Sequence, residues 1–230
     1  LILFIRSALF LGIMYVSGFC LSLAGLLVAP FDRTKIIVCG QAWGHVVLWA
    51  LRWICGITLR IEGIENLPAG PVIIAAQHQS AMDIMVWLTL LRRPAFVLKQ
   101  ELLNLPVFGP LMVPSGMIAV DRDGAAPALR KMVVECKAAL AAGRQVVIFP
   151  EGTRVAHGAR ADLHPGVVAL ARSAGVTVIP ASTDSGLHWG RKSFKKYPGH
   201  VRLTLYPPIA PSAGRDEILR RLAVYFYEGR

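Results

Sequence analysis

An α/β fold, with a mixed β-sheet flanked by helices behind N-terminal membrane-associated helices, is predicted by three features of this 230-residue chain. Residues 7–31 contain no charged side chain. From Gly56 onward, short apolar runs alternate with stretches of helical periodicity. One run, 72–76, is continuously apolar, as in a central strand buried on both faces. Hydrophobic residues make up 54% of the chain and charged residues 17%. With a mean hydropathy of +0.52, that is too apolar for an ordinary soluble protein.

Taken in order, 7–29 forms a helix roughly 34 Å long, enough to cross the hydrocarbon core of a bilayer. A cleaved signal peptide has a shorter apolar core and a small-residue cleavage site, so this stretch reads as a retained anchor. Residues 36–57 are also apolar but carry Gln41, His45 and Arg52, which are costly in a full span. Trp43, Trp49 and Trp53 suit the headgroup boundary, so this second helix is expected to lie in the interface. Strands are expected at 58–61, 72–76, 95–98, 117–120, 145–149, 176–180 and 201–206. Helices are expected at 80–91, 126–142, 167–173 and 216–227. The helix at 126–142 places Leu129, Met132, Val133, Cys136 and Leu140 on one face, and Gly143 stops it. The domain division is therefore 1–57, anchoring helices, and 58–230, a catalytic domain.

The net charge is +11, and from Thr58 onward Lys and Arg outnumber Asp and Glu by 21 to 13. A basic domain behind an apolar anchor points to an anionic lipid surface and the cytoplasmic face of a bacterial-type inner membrane. The same anchor argues against a nucleic-acid binder. Cys20, Cys39, Cys55 and Cys136 lack metal-ligand spacing and read as small apolar residues, not a disulfide framework. No metal site is expected.

Two motifs carry chemistry. His78 leaves the apolar run 71–77, and Asp83 lies five residues on, in the next helix. A carboxylate on one ring nitrogen fixes the tautomer and raises the basicity of the other, which can then take a proton from a substrate hydroxyl. A second His-x4-Asp, His157 to Asp162, lies in a polar Gly/Ala/Arg stretch and reads as a loop. The other motif is Phe149-Pro150-Glu151-Gly152-Thr153-Arg154. A strand delivers the chain to a turn at Gly152; Arg154 offers a planar fork of donors to a phosphate, and Thr153 and the loop amides add others. Glu151 has two roles open to it, holding Arg154 or accepting from a substrate hydroxyl.

In this order the two motifs resemble the first and third blocks of the glycerolipid acyltransferases, in particular the 1-acylglycerol-3-phosphate (lysophosphatidic acid) acyltransferases. The second block is matched by Lys99-Gln100-Glu101-Leu102, Pro106, Phe108-Gly109 and Gly116 followed by Val120-Asp121-Arg122. Val178-Ile179-Pro180-Ala181 resembles the fourth. The resemblance implies attack of a lysolipid sn-2 hydroxyl on a fatty acyl thioester, with acyl-CoA or acyl carrier protein as co-substrate and no cofactor. It implies His78 as base, Asp83 as its orienter, and Lys99, Arg122, Glu151, Gly152, Thr153 and Arg154 around the phosphate-bearing acceptor. It also implies a membrane-associated helical segment, matching 7–57. The family often has a basic residue shortly before the Gly of His164-Pro165-Gly166, where this chain offers His164.

Lyso-ornithine lipid acyltransferases share the four blocks, so another lysolipid acceptor stays open. A catalytically silent lipid-binding protein and a thioester hydrolase are the readings from other classes. Residues 105–116, apolar and rich in Pro and Gly, could line an acyl-chain tunnel or rest on the membrane. The basic run 191–196 could grip anionic headgroups or CoA phosphates, or be a solvated loop.

Overall fold

The computed structural model describes residues 1–121 and 124–228. Its first two helices, α1 (Ile2–Val28) and α2 (Thr34–Ala50), pack against each other, and α2 ends in a wide π turn, Leu51–Cys55. The chain then builds a seven-stranded sheet: β1 (Ile57–Glu62), β2 (Val72–Ala76), β3 (Pro94–Lys99), β4 (Ile118–Val120), β5 (Gln145–Ile148), β6 (Val178–Thr183) and β7 (Gly199–Leu205). The order is β1-β7-β6-β2-β5-β3-β4. All neighbours are parallel except β6 and β7, so the sheet is mixed, as expected. The uniformly apolar β2 is the central strand, buried at every position.

Strand alternation gives the sheet two apolar faces. Val72, Ile74 and Ala76 of β2 point to one core, shared with Phe10 and Met14 of α1, Val47 and Ala50 of α2, and helix α3 (Met82–Leu90). Ile73 and Ala75 point to the other, closed by α5 (Ala125–Ala141), α6 (Gly166–Ala174) and α7 (Arg215–Tyr227). The anticipated apolar face of α5 is the one it buries: Met132, Cys136 and Leu140 are in this core, with Leu129 and Val133 at its edge. Gly143 follows the helix at φ +75°, a conformation that suits glycine.

Three details differ from expectation. β6 runs three residues further toward Thr183, because Ser182 and Thr183 pair with Thr204 and Leu203 of β7. A short helix, α4 (Gly109–Met112), interrupts the Pro/Gly-rich stretch. Phe10, Ala50 and Leu51 are fully buried, so the apolar core crosses the boundary at residue 57. Yet only 22% of the most apolar stretch of α1 is buried, and the helix is long enough to cross a membrane. A soluble core helix would be mostly covered; here Leu9, Val16 and Leu27 face outward.

Gly63, at φ +69°, turns the chain out of β1, and a Cβ there would run into the Leu205 carbonyl oxygen. Gly63→Ala is expected to cost at least about 1–2 kcal/mol from the left-handed backbone alone. Thermal unfolding in detergent would show it as a lower midpoint; an unchanged midpoint would mean that the turn relaxes freely.

Candidate active site

The end of β2 and the first turn of α3 bring His78 and Asp83 together. His78 Nδ1 lies 3.0 Å from Asp83 Oδ2. The same oxygen accepts the backbone N–H groups of Gln79 and Ser80, each at 2.8 Å. Asp83 Oδ1 accepts the Ser185 hydroxyl at 2.6 Å. Asp83 is 4% exposed and, among the described residues, is met by four donors at the N-terminal end of α3. Oδ2 already accepts two backbone N–H groups, so the neutral imidazole that fits beside it donates from Nδ1 and keeps a lone pair on Nε2. The Phe149 ring stacks on the imidazole, with centroids 4.1 Å apart and planes at 22°, and fixes the ring from one face.

The second motif supports this pair from behind. Glu151 is 3% exposed. Its Oε2 accepts the His78 backbone N–H at 2.7 Å, and its Oε1 accepts the Tyr227 hydroxyl at 2.9 Å. Glu151 is thus built into the protein beneath His78, bonded to His78 and Tyr227. Burial, then the adjacent Glu151 charge, pushes the Tyr227 hydroxyl up to about 12. Val155 donates its N–H to the His78 carbonyl at 2.8 Å, locking the two motif loops together. Gly152 turns the loop at φ +65°, where a Cβ would come within 2.8 Å of the His164 ring. His164 in turn donates its N–H to the Pro150 carbonyl at 2.8 Å.

His78, Lys99, Gly152, Thr153 and Arg154 all line one cavity of about 380 Å³. Lys99 stands at the C-terminal end of β3 and pairs with Glu101. Thr153 and Arg154 are exposed, and no hydrogen bond or ion pair among the described residues occupies the Arg154 guanidinium. Arg122 lies outside the described residues. The remaining wall is mostly apolar, with Leu21 of α1, Trp43 of α2, Leu88 of α3, Phe96 of β3, and Phe108 and Leu111 from the Pro/Gly-rich stretch. Phe108, Leu111, Met112 and Ser115 of the stretch 105–116 therefore line this cavity. The wall is tied to the helical pair by Trp43, whose indole N–H donates to the Met14 carbonyl at 3.0 Å.

Other candidates sort themselves by position. His157 Nδ1 is 3.3 Å from the Gln79 amide oxygen, next to the loop that carries His78. Within the basic run, Lys196 turns inward and is 1% exposed. Its ammonium donates to the Ser193 and Phe194 carbonyls at 3.1 and 2.7 Å and lies 4.9 Å from the Trp189 ring centre. Burial lowers its pKa from the usual lysine range. Arg191, Lys192 and Lys195 stay outside. All four cysteines are free. Ser185 and Tyr227, both bonded to the motif carboxylates, were not evident as site residues, since a lone hydroxyl residue has no pattern that marks it.

An acyltransferase family model matches residues 58–184. The chain is 32% identical over 209 residues to the 1-acyl-sn-glycerol-3-phosphate acyltransferase of Pseudomonas aeruginosa, which spans 89% of this chain and 80% of that one. It is 28% identical over 187 residues to the enzyme of the same name from Limnanthes douglasii, covering 80% of this chain and 65% of that one. The crystal structure of the 1-acyl-sn-glycerophosphate (LPA) acyltransferase of Thermotoga maritima superposes with a TM-score of 0.79 at 23% identity, over 98% of this chain and 93% of that one. The α/β fold predicted from the sequence is the fold of that structure. On the family match and the Pseudomonas relative together, this chain belongs to the glycerolipid acyltransferase family, with the 1-acyl-sn-glycerol-3-phosphate acyltransferases.

Proposed function

We propose that this protein transfers a fatty acyl group from acyl-CoA or acyl carrier protein to the sn-2 hydroxyl of 1-acylglycerol-3-phosphate, giving phosphatidic acid. The observation that carries this reading is a histidine–aspartate pair on an apolar cavity whose wall also holds Lys99 and Arg154. His78 Nε2 takes the proton as the acceptor oxygen attacks the thioester carbonyl carbon. The new C–O bond forms, the C–S bond breaks, and the departing thiolate receives the proton from His78. Such general-base help contributes about 10²- to 10⁴-fold in rate. Lys99, Thr153, Arg154 and the Gly152 turn hold the acceptor phosphate, with Arg122 assigned to the same task from its motif. The apolar wall takes an acyl chain.

Residues 1–57 serve as the membrane anchor of the catalytic part. The exposed side chains of α1, the outward Trp49 and Trp53, and the basic surplus beyond Thr58 support docking on anionic lipid at the cytoplasmic face.

Acyl transfer to lysophosphatidic acid and to lyso-ornithine lipid, measured with labelled acyl-CoA, tests the acceptor. Charge-assisted bonds to a phosphate are each worth about 1.5–3 kcal/mol. Arg154→Ala is therefore expected to raise KM for lysophosphatidic acid about 10- to 100-fold. Wild-type turnover of only the acceptor without phosphate would overturn the assignment, and release of free fatty acid without any acceptor would replace it with hydrolysis.

A further inference from the structure

The segment that leaves β6 is fastened to the loop carrying the base. Gln79 grips it twice: its amide nitrogen donates to the Thr183 carbonyl at 2.7 Å, and its amide oxygen accepts the Gly186 N–H at 3.1 Å. The approach is tight, since a Cβ on Gly186 would sit 2.8 Å from that amide oxygen. Between the two grips lies Ser185, fully buried, with its N–H on the Thr183 hydroxyl at 3.1 Å. Its own hydroxyl donates to Asp83 Oδ1 at 2.6 Å. That length falls in the range of a hydroxyl on an ionised carboxylate.

The division of labour on Asp83 is unequal. His78 and two backbone N–H groups all meet Oδ2, whereas Ser185 is the sole donor to Oδ1 among the described residues. A carboxylate turns about its last torsion with a broad, two-fold preference, so donors gathered on one oxygen set its plane loosely. A donor on the second oxygen sets the plane and with it the line from Oδ2 to His78 Nδ1.

We propose that Ser185 is a positioning residue for the acyl transfer, holding the Asp83 carboxylate in the plane that orients His78. The inference rests on the base assigned to His78 above. Ser185 is not among the residues lining the cavity, so it acts on substrate indirectly, and Asp83 is the partner its hydroxyl meets.

The test is a double-mutant cycle in acyl transfer to lysophosphatidic acid, using full-length protein that is monodisperse in detergent: wild type, Ser185→Ala, Asp83→Asn and the double variant. A hydrogen bond to a buried charge predicts that Ser185→Ala lowers kcat about 10- to 100-fold, with KM unchanged within about twofold. Asp83→Asn loses more, and adding Ser185→Ala to it then changes little, because the relay is already broken. If Ser185 only stabilises the fold, the two losses multiply, and that result overturns the proposal. A Ser185→Ala enzyme with wild-type kcat overturns it too. Asp83→Asn with wild-type kcat instead removes the base assignment itself, and the proposal with it. Should Ser185→Ala fail to fold, Ser185→Cys, close in shape but a weak donor, is expected to show the same kcat loss at constant KM; wild-type kcat in that variant overturns the proposal.

Discussion

His78→Ala is expected to lower phosphatidic acid formation by at least about a hundredfold, the smaller end of the range for a lost general base. The fold should survive the change. The imidazole is only partly buried, and the Asp83 carboxylate keeps both backbone N–H groups and the Ser185 hydroxyl when it is gone. The Phe149 ring loses its stacking partner, worth about 0.5–1.5 kcal/mol, so a modest drop in unfolding temperature accompanies the loss of rate. Initial rates in membranes, normalised to protein detected in the same membranes, read the effect. Equal rates for the two proteins would sink the mechanism. A wild type inactive on lysophosphatidic acid would leave the base untouched as an idea but move the search to other acceptors.

Glu151→Gln should be nearly as damaging, for a different reason. Among the described residues the carboxylate faces the His78 N–H and the Tyr227 O–H, one at each oxygen, and an ionised carboxylate accepts at both. A glutamine offers one accepting oxygen and one donating nitrogen. One donor pair is then forced together in a site only 3% exposed. A hydrogen bond to a charged group is worth about 1.5–3 kcal/mol, and the stranded donor adds its desolvation. We expect a loss of about 2–4 kcal/mol of stability together with a fall in kcat, since the displaced group is the backbone of the base. Tyr227→Phe removes the hydroxyl from Glu151 and from the Ala161 backbone but leaves the His78 N–H on Glu151, so it should lower the unfolding temperature while keeping most of the activity. The two variants compared by thermal unfolding and steady-state kinetics separate support from binding. A Glu151→Gln enzyme with wild-type stability and a raised KM would return Glu151 to a direct role on the acceptor.

The sheet was legible because burial leaves a plain record. A strand covered on both faces must be apolar throughout, and β2 and most of β5 are. The end of β6 was not legible, because Ser182 and Thr183 look like loop residues until β7 arrives to pair with them. The His78–Asp83 pair could be read since both partners sit within five residues, where chain geometry alone brings them together. Ser185 reaches Asp83 from 102 residues away, and Tyr227 reaches Glu151 from 76. Nothing local distinguishes them from other hydroxyl residues. Lys196 illustrates the converse. Its four-in-six basic run suggests a solvated surface, yet Phe10, remote in sequence, and Trp189, just upstream of the run, supply rings that flank its ammonium.

The core shared across residue 57 has a practical consequence. Phe10, Met14, Val47 and Leu51 are the lining of the sheet face as much as they are parts of the first two helices. A truncation beginning at Thr58 would bare the face of β2, β6 and β7 that belongs to this core, together with the side of α3 that α2 covers. Such a fragment would collect in inclusion bodies rather than yield a handy water-soluble enzyme. Purification must therefore carry the lipophilic helices along in a micelle or nanodisc, and random mutagenesis of them would score as lost catalysis even where membrane attachment is intact.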